Sequence, residues 1–198
     1  MRDALSIENT RRALIVRFTR PEIRNPLSIA VIDQIHLVLD DAYTQPDLEA
    51  LIFTGSGQSF ASGADLREIA GISENAAHGF ARYGQELMDR IAALEIQTFA
   101  AVNGYCFGGA FDLALACSYR FACQSAKFAH PGAGLGIITG WGGTQRLPRL
   151  IGQGNALEMF FTAEAVDAPR ALEIGLINGI ADDLVAACLA NVDAAVSS

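Results

Sequence analysis

The chain has 198 residues, 51% hydrophobic and 18% charged, and its 14 basic against 22 acidic side chains give a net charge of −8. That composition excludes intrinsic disorder, opposes a nucleic-acid binder, whose field must be positive, and suits one domain with an ample core. An anionic ligand would have to be held by local arginines or backbone N–H groups.

In chain order, Leu5–Glu8 and Leu14–Phe18 read as a strand hairpin joined across Asn9-Thr10-Arg11. Pro21 and Pro26 bracket a loop, and Ser28 is positioned to cap a helix carrying Val31, Ile32, Ile35, Val38, Leu39 and Ala42 at helical spacing. Leu51–Thr54 is a buried strand, QSFASGAD a loop, Leu66–Ala70 a short helix and Asn75–Leu94 a longer one. Phe99–Val102 is another buried strand, Gly108-Gly109-Ala110 opens a helix through Cys117, and Tyr119–Cys123 is strand-like. A glycine-dense stretch follows, then helices near Arg146–Ile151 and Asn155–Phe161. Strands alternating with helices predict an α/β fold with a doubly buried sheet. No internal repeat is visible.

The apolar run Phe99–Tyr119 carries Asp112 near its middle and a turn signal at Asn103-Gly104, so it reads as strand, turn and helix in a soluble protein. The opening MRDALSIENTRR lacks an apolar signal core. Cys106, Cys117, Cys123 and Cys188 form no C-x-x-C pair and are expected as free thiols of a cytoplasmic protein. His36, His78 and His130 lack metal-ligand spacing.

Glycine stands just ahead of a helix in Ser62-Gly63-Ala64-Asp65, in Gly108-Gly109-Ala110 and in Gly140-Trp141-Gly142-Gly143. Unpaired N–H groups at such places bind a phosphate or stabilise an oxyanion; the plainer reading is tight turns and close packing. Walker A fails, since the one lysine, Lys127, lies in Ala-Lys-Phe. No dinucleotide fingerprint follows the first strand. Gly57-Gln58-Ser59-Phe60-Ala61 misses the hydrolase pattern at its last place and leaves a serine hydrolase built on Ser59 only as an alternative.

Taken together, RPEIRNPLS, LIFTGSGQSFASGADLREI, AVNGYCFGGAFDLALACSYRFA, GLGIITGWGGTQRLPRLIG and ALEIGLINGIADD resemble the enoyl-CoA hydratase/isomerase (crotonase) family, over Ile7 to Asp183. The resemblance implies a spiral of β-β-α turns as a core over 1–183, with 184–198 a short remnant of the family's C-terminal helical part, either naturally short or truncated. It implies an acyl-CoA substrate with no further cofactor and a homo-oligomer, a trimer or dimer of trimers. It places the two thioester-holding N–H groups on Ala64 and Gly109. Ser62, Gly63, Ala64, Asp65 and Leu66 would line the CoA path, Arg67 and Arg24 would approach the CoA phosphates, and Trp141 would wall the acyl pocket. For the arginines a solvated surface charge, and for Trp141 core packing, are the plainer readings.

The pattern also breaks. The first of the family's two glutamates is replaced by Asp112, one methylene shorter; its plainer reading is a carboxylate favoured by the start of a helix. The second falls on Gly132, which has no side chain, and Gly140, where some relatives keep an aspartate, is also bare. His130 is the one titratable group close to this gap. Alternation along an extended chain is taken to turn it away, so it is expected as a core or surface histidine. Other crotonase reactions, such as thioester hydrolysis or decarboxylation, and an acyl-CoA binder with little turnover stand as alternatives to a hydratase or isomerase.

Overall fold

In the computed structural model, which describes residues 4–10 and 12–196, the apolar runs lie side by side as buried strands. Arg11 of the expected turn, the first three residues of the opening segment and the last two of the C-terminal remnant fall outside that range. β1 (Leu5–Asn9) pairs antiparallel with β2 (Ala13–Phe18), and β3 (Ala50–Thr54), β5 (Gln97–Val102), β7 (Tyr119–Ala122) and β10 (Gly179–Ile180) continue this sheet in parallel. A second sheet joins β4 (Ser59–Ala61), β6 (Tyr105–Phe107), β8 (Lys127–Ala129) and β9 (Val166–Asp167). Sequence reading missed β4, β6, β8 and β9, because two or three residues are too few to show an alternation.

Each turn of the spiral takes one strand from each sheet and then a helix. β3 and β4 lead to α2 (Leu66–Ala70) and α3 (Glu74–Ala92), β5 and β6 to α4 (Gly109–Ala116), and β7 and β8 to α5 (Gly143–Thr162). The β-β-α repeat is therefore present in the backbone without a repeat in the residues. Ser28 caps α1 (Ile29–Tyr43) by accepting from the Val31 N–H, which satisfies one orphan donor of the first turn. Gly152, at φ +80°, interrupts α5 and accounts for the two shorter helices expected there. The central strands are buried on both faces. Ala100 and Val102 face the main core, while Phe99 and Ala101 face a second cluster closed by Leu184, Cys188 and Val192 of α7 (Leu184–Val196). Among the described residues no helix is long and apolar enough to cross a membrane.

Two polar anchors hold the layers. Asn25, buried in a left-handed conformation, donates its amide to the carbonyls of Ser56, Ser59 and Phe60 and ties the RPEIRNP loop to β4. Arg120 is also buried, and its guanidinium donates to the carbonyls of Ala114 and Cys117 at the end of α4 and of Leu176 in the C-terminal part. Burial lowers its pKa, so those carbonyls carry the charge's solvation. Arg120→Met should cost about 3–5 kcal/mol, because it strands several buried acceptors at once. Urea unfolding checks this, and a change below about 1 kcal/mol would show that the carbonyls find other donors.

Candidate active site

The turn after β4 and the turn after β6, from successive β-β-α units, come into contact. Gly63 adopts φ +88°, and a Cβ there would lie 2.7 Å from the Phe107 carbonyl oxygen and 2.8 Å from the Gly109 nitrogen, so only glycine lets these turns meet. The Leu27 N–H donates to the Gly63 carbonyl at 2.8 Å. Because a trans peptide points its N–H opposite its C=O, the Ala64 N–H faces the other way. Gly109 begins α4, and its N–H projects from the positive end of that helix. Neither N–H donates to a protein acceptor among the described residues.

Both turns border a cavity of about 300 Å³ that also takes in Ser62, Leu66, Asp112, His130, Gly132, Thr139, Gly140 and Trp141. Trp141 is a wall and a packing residue together. Its indole lies against the bare Cα of Gly109 and of Gly84 in α3, where a Cβ would come within 2.4 and 2.1 Å of the ring. Phe80 flanks it with ring centroids 5.6 Å apart. Any side chain at Gly109, proline included, must therefore displace this indole.

Asp112 is fully buried and is the one carboxyl among the described residues lining the cavity. The Thr139 hydroxyl donates to its Oδ2. Burial raises its pKa to about 7; the Thr139 hydroxyl, the backbone N–H groups of Trp141 and Gly143, and the Arg146 charge oppose that shift. Its Oδ1 has no hydrogen-bond partner among the described residues and lies 3.6 Å from His130 Nε2. His130 is buried too, and desolvation lowers its pKa to about 4. Between those two values the groups face each other as a carboxylic acid and a neutral imidazole, not as an ion pair. Phe111 and Phe160 stack on the imidazole, with centroids at 4.7 and 5.3 Å. Neither ring nitrogen has a partner among the described residues. A Cβ on Gly143 would fall 2.2 Å from Asp112 Oδ1 and 2.9 Å from His130 Nε2. That glycine makes room for both.

His130 is a core histidine as expected, but it lines the cavity beside Gly132 instead of turning away from it. Strand alternation does not apply here, because the chain past His130 is not extended: Pro131–Leu135 is a 3-10 turn that carries Gly132. Thr139 had no sequence signal. Gly143 stood in a glycine run expected to offer backbone donors or a tight turn, and its role in making room for Asp112 and His130 was not legible there.

The structure places Arg24, Gly63, Asp65 and Arg67 outside the cavity lining. The Asp65 carboxylate caps α2 and takes a two-point ion pair from Arg67, at 2.9 and 2.6 Å, which holds its pKa below the usual range. Arg24 is exposed in a left-handed turn. Ser59 is buried at the start of β4 rather than at a strand-to-helix elbow, so the serine-hydrolase alternative lacks its nucleophile. Among the described residues no cluster of ligands fits a metal ion. A larger open hollow of about 580 Å³, lined by Tyr43, His78, Arg82, Glu86 and neighbours, holds none of the expected residues.

Comparisons with known proteins identify the family. The family profile for enoyl-CoA hydratase/isomerase matches residues 8–190. The chain is 40% identical over 179 residues to a crotonyl-CoA hydratase of Syntrophomonas wolfei, covering 88% of this chain and 67% of that protein. It is 36% identical to a short-chain-enoyl-CoA hydratase of Clostridium acetobutylicum, covering 89% and 68%. The crystal structure of an enoyl-CoA hydratase from Bacillus anthracis superposes with a TM-score of 0.93 at 32% identity, over 99% of this chain and 78% of that one. The chain belongs to the enoyl-CoA hydratase/isomerase family and is an acyl-CoA-processing enzyme with the crotonase fold.

Two predictions follow from the buried pair and its glycines. Asp112 is protonated more readily in the folded protein, so its contribution to stability is greatest below about pH 4 and is lost as pH rises to about 7. His130 acts in reverse, since its stability contribution is present above 6.5 and is lost as pH falls to about 4. Asp112→Asn should therefore gain stability over the parent as pH rises through 4–7, and His130→Phe as pH falls through 6.5–4, each by at most about 1.4 kcal/mol per pH unit. Parallel unfolding curves for parent and variants would contradict this.

The second concerns the bare positions. Gly132 does not need a positive φ; a Cβ there would instead meet the Ile137 carbonyl oxygen at 2.5 Å, whereas one on Gly140 would find only the Ala81 methyl at 3.9 Å. Gly132→Glu should lower Tm by several degrees, the response of a domain this size to about 1–3 kcal/mol of strain. Gly140→Asp should melt close to the parent. The reverse order in a thermal melt would contradict the packing.

Proposed function

We propose that the chain hydrates a short 2-enoyl-CoA, with the thioester oxygen held between the N–H groups of Ala64 and Gly109 and Asp112 delivering a proton to the α-carbon. The observation that carries this reading is the pair of unpartnered N–H groups on two touching turns, at the border of a cavity whose one carboxyl is held near neutrality. Preorganised donors of this kind stabilise charge as it develops on a carbonyl oxygen, typically by about 3–4 kcal/mol each. A carboxyl with a pKa close to the working pH suits proton delivery. The names of the similar hydratases support the substrate class. We infer further that Ser62 and Leu66 flank the thioester path and that Arg24 meets the CoA phosphates, since Arg67 is already paired with Asp65. A cytoplasmic homo-oligomer, trimeric by family resemblance and using no cofactor beyond the substrate's coenzyme A, completes the reading.

Gly132 favours one second reading: a crotonase reaction such as decarboxylation, which needs the two N–H groups but not a second carboxylate. A turnover panel of enoyl-, β-hydroxy-, malonyl- and saturated acyl-CoAs separates the two. Crotonyl-CoA should be hydrated, at a rate about 10²–10⁴ below that of a two-glutamate hydratase assayed beside it. Asp112→Asn should remove most of what remains. Turnover of malonyl-CoA without hydration of any enoyl-CoA would select the second reading instead.

A further inference from the structure

A histidine stacked between two phenylalanines with both ring nitrogens unpaired is an expensive way to fill a core. Each buried polar atom left without a partner destabilises the fold, and an apolar ring would stack there without that cost. The orientation of this ring is fixed by Phe111 and Phe160 rather than by hydrogen bonds. It directs Nε2 toward Asp112 Oδ1, the other unpaired atom on the cavity wall, over the bare Cα of Gly143. Their 3.6 Å separation is too long for a direct hydrogen bond and too short for a water in line between them, and both atoms are closed off in the resting structure; a water bonded to both must lie beside the pair, toward the cavity that both residues line.

We propose that His130 supplies the function of the carboxylate missing at Gly132: its Nε2 and Asp112 Oδ1 hold the water that adds to the enoyl thioester, and Nε2 accepts that water's proton. This inference rests on the hydration reading above. The water oxygen forms a bond to the β-carbon while the carbon–carbon π pair moves into the thioester as an enolate, whose charge faces the Ala64 and Gly109 N–H groups. The water proton passes to His130. The enolate then takes the Asp112 proton at its α-carbon, giving the 3-hydroxyacyl thioester. Asp112 is left as carboxylate and His130 as imidazolium, and proton return from His130 to Asp112 restores the starting state. An imidazole held neutral by burial is a weak base, which fits slow rather than absent hydration.

The test uses two reactions of the same protein. Hydration of crotonyl-CoA needs the water and therefore His130. Exchange of the α-hydrogens of butyryl-CoA in deuterated water needs only Asp112 and the two N–H groups. His130→Phe, which keeps the aromatic stack, and His130→Gln, which keeps polarity without a proton acceptor, should each lower kcat for hydration by about 10²–10⁴ with KM little changed. Both should exchange butyryl-CoA at close to the parent rate, which also shows that they fold and bind. Hydration by His130→Phe at the parent rate would overturn the proposal alone, and loss of exchange in step with hydration would reduce His130 to a support for Asp112. A parent protein that exchanges butyryl-CoA yet hydrates no enoyl-CoA would overturn the hydration reading and this proposal with it.

Discussion

The site depends on a carboxyl group on which burial outweighs the hydrogen-bond donors around it. Asp112 lies in the first turn of α4, with the start of α5 packed against it, so the backbone N–H groups of Trp141 and Gly143 favour its ionised form. Complete burial favours the neutral form and prevails. The outcome is an acid held near neutrality. Everything close to it is arranged around that acid. Thr139 holds one oxygen, Gly143 withholds a side chain, and His130 is stacked into position opposite the other oxygen. The cost of removing these polar atoms from water is met by the large apolar core on which the site is built.

The remaining machinery is backbone, and glycine makes it possible. Gly63 lets the turn of Ala64 touch the start of α4, and the paired bare surfaces of Gly84 and Gly109 receive the Trp141 indole. A side chain at either of these last two positions would push the indole into the cavity or unseat the helix that presents the Gly109 N–H. Donor placement and cavity shape are thus fixed by the same contacts. The positions that depart from the family pattern, Asp112, Gly132 and Gly140, all gather at this one place.

Much of the fold was legible because its signals are local. Ser28 caps α1 as its position before an apolar helical run predicts, and the doubly buried strands β3 and β5 are built on short apolar runs, 50–53 and 99–102. The second sheet was not legible, since strands such as Ser59–Ala61 and Lys127–Ala129 are defined by their neighbours rather than by any period of their own. Within the site, the glycines ahead of helices marked Ala64 and Gly109 as candidate donors, and neither N–H meets a protein acceptor among the described residues. Long-range packing hid the rest. Gly132 was open to explanation by a positive φ, but the actual constraint is the Ile137 carbonyl, five residues away and folded back onto it. The pairing of Arg67 with Asp65 was hidden by reading each as a separate ligand contact.

The account turns on Asp112 being a buried acid that stays largely protonated until near neutral pH. Titration of the aspartate carboxyl carbons by NMR in selectively 13C-labelled protein, with Asp112→Asn used to assign the resonance, measures this directly. The structure predicts one carboxyl with an apparent pKa of about 7, absent from the variant. An Asp112 resonance that titrates near the ordinary aspartate value of about 3.9 would contradict the account, because the carboxyl would then be a solvated surface acid with no proton to deliver at neutral pH.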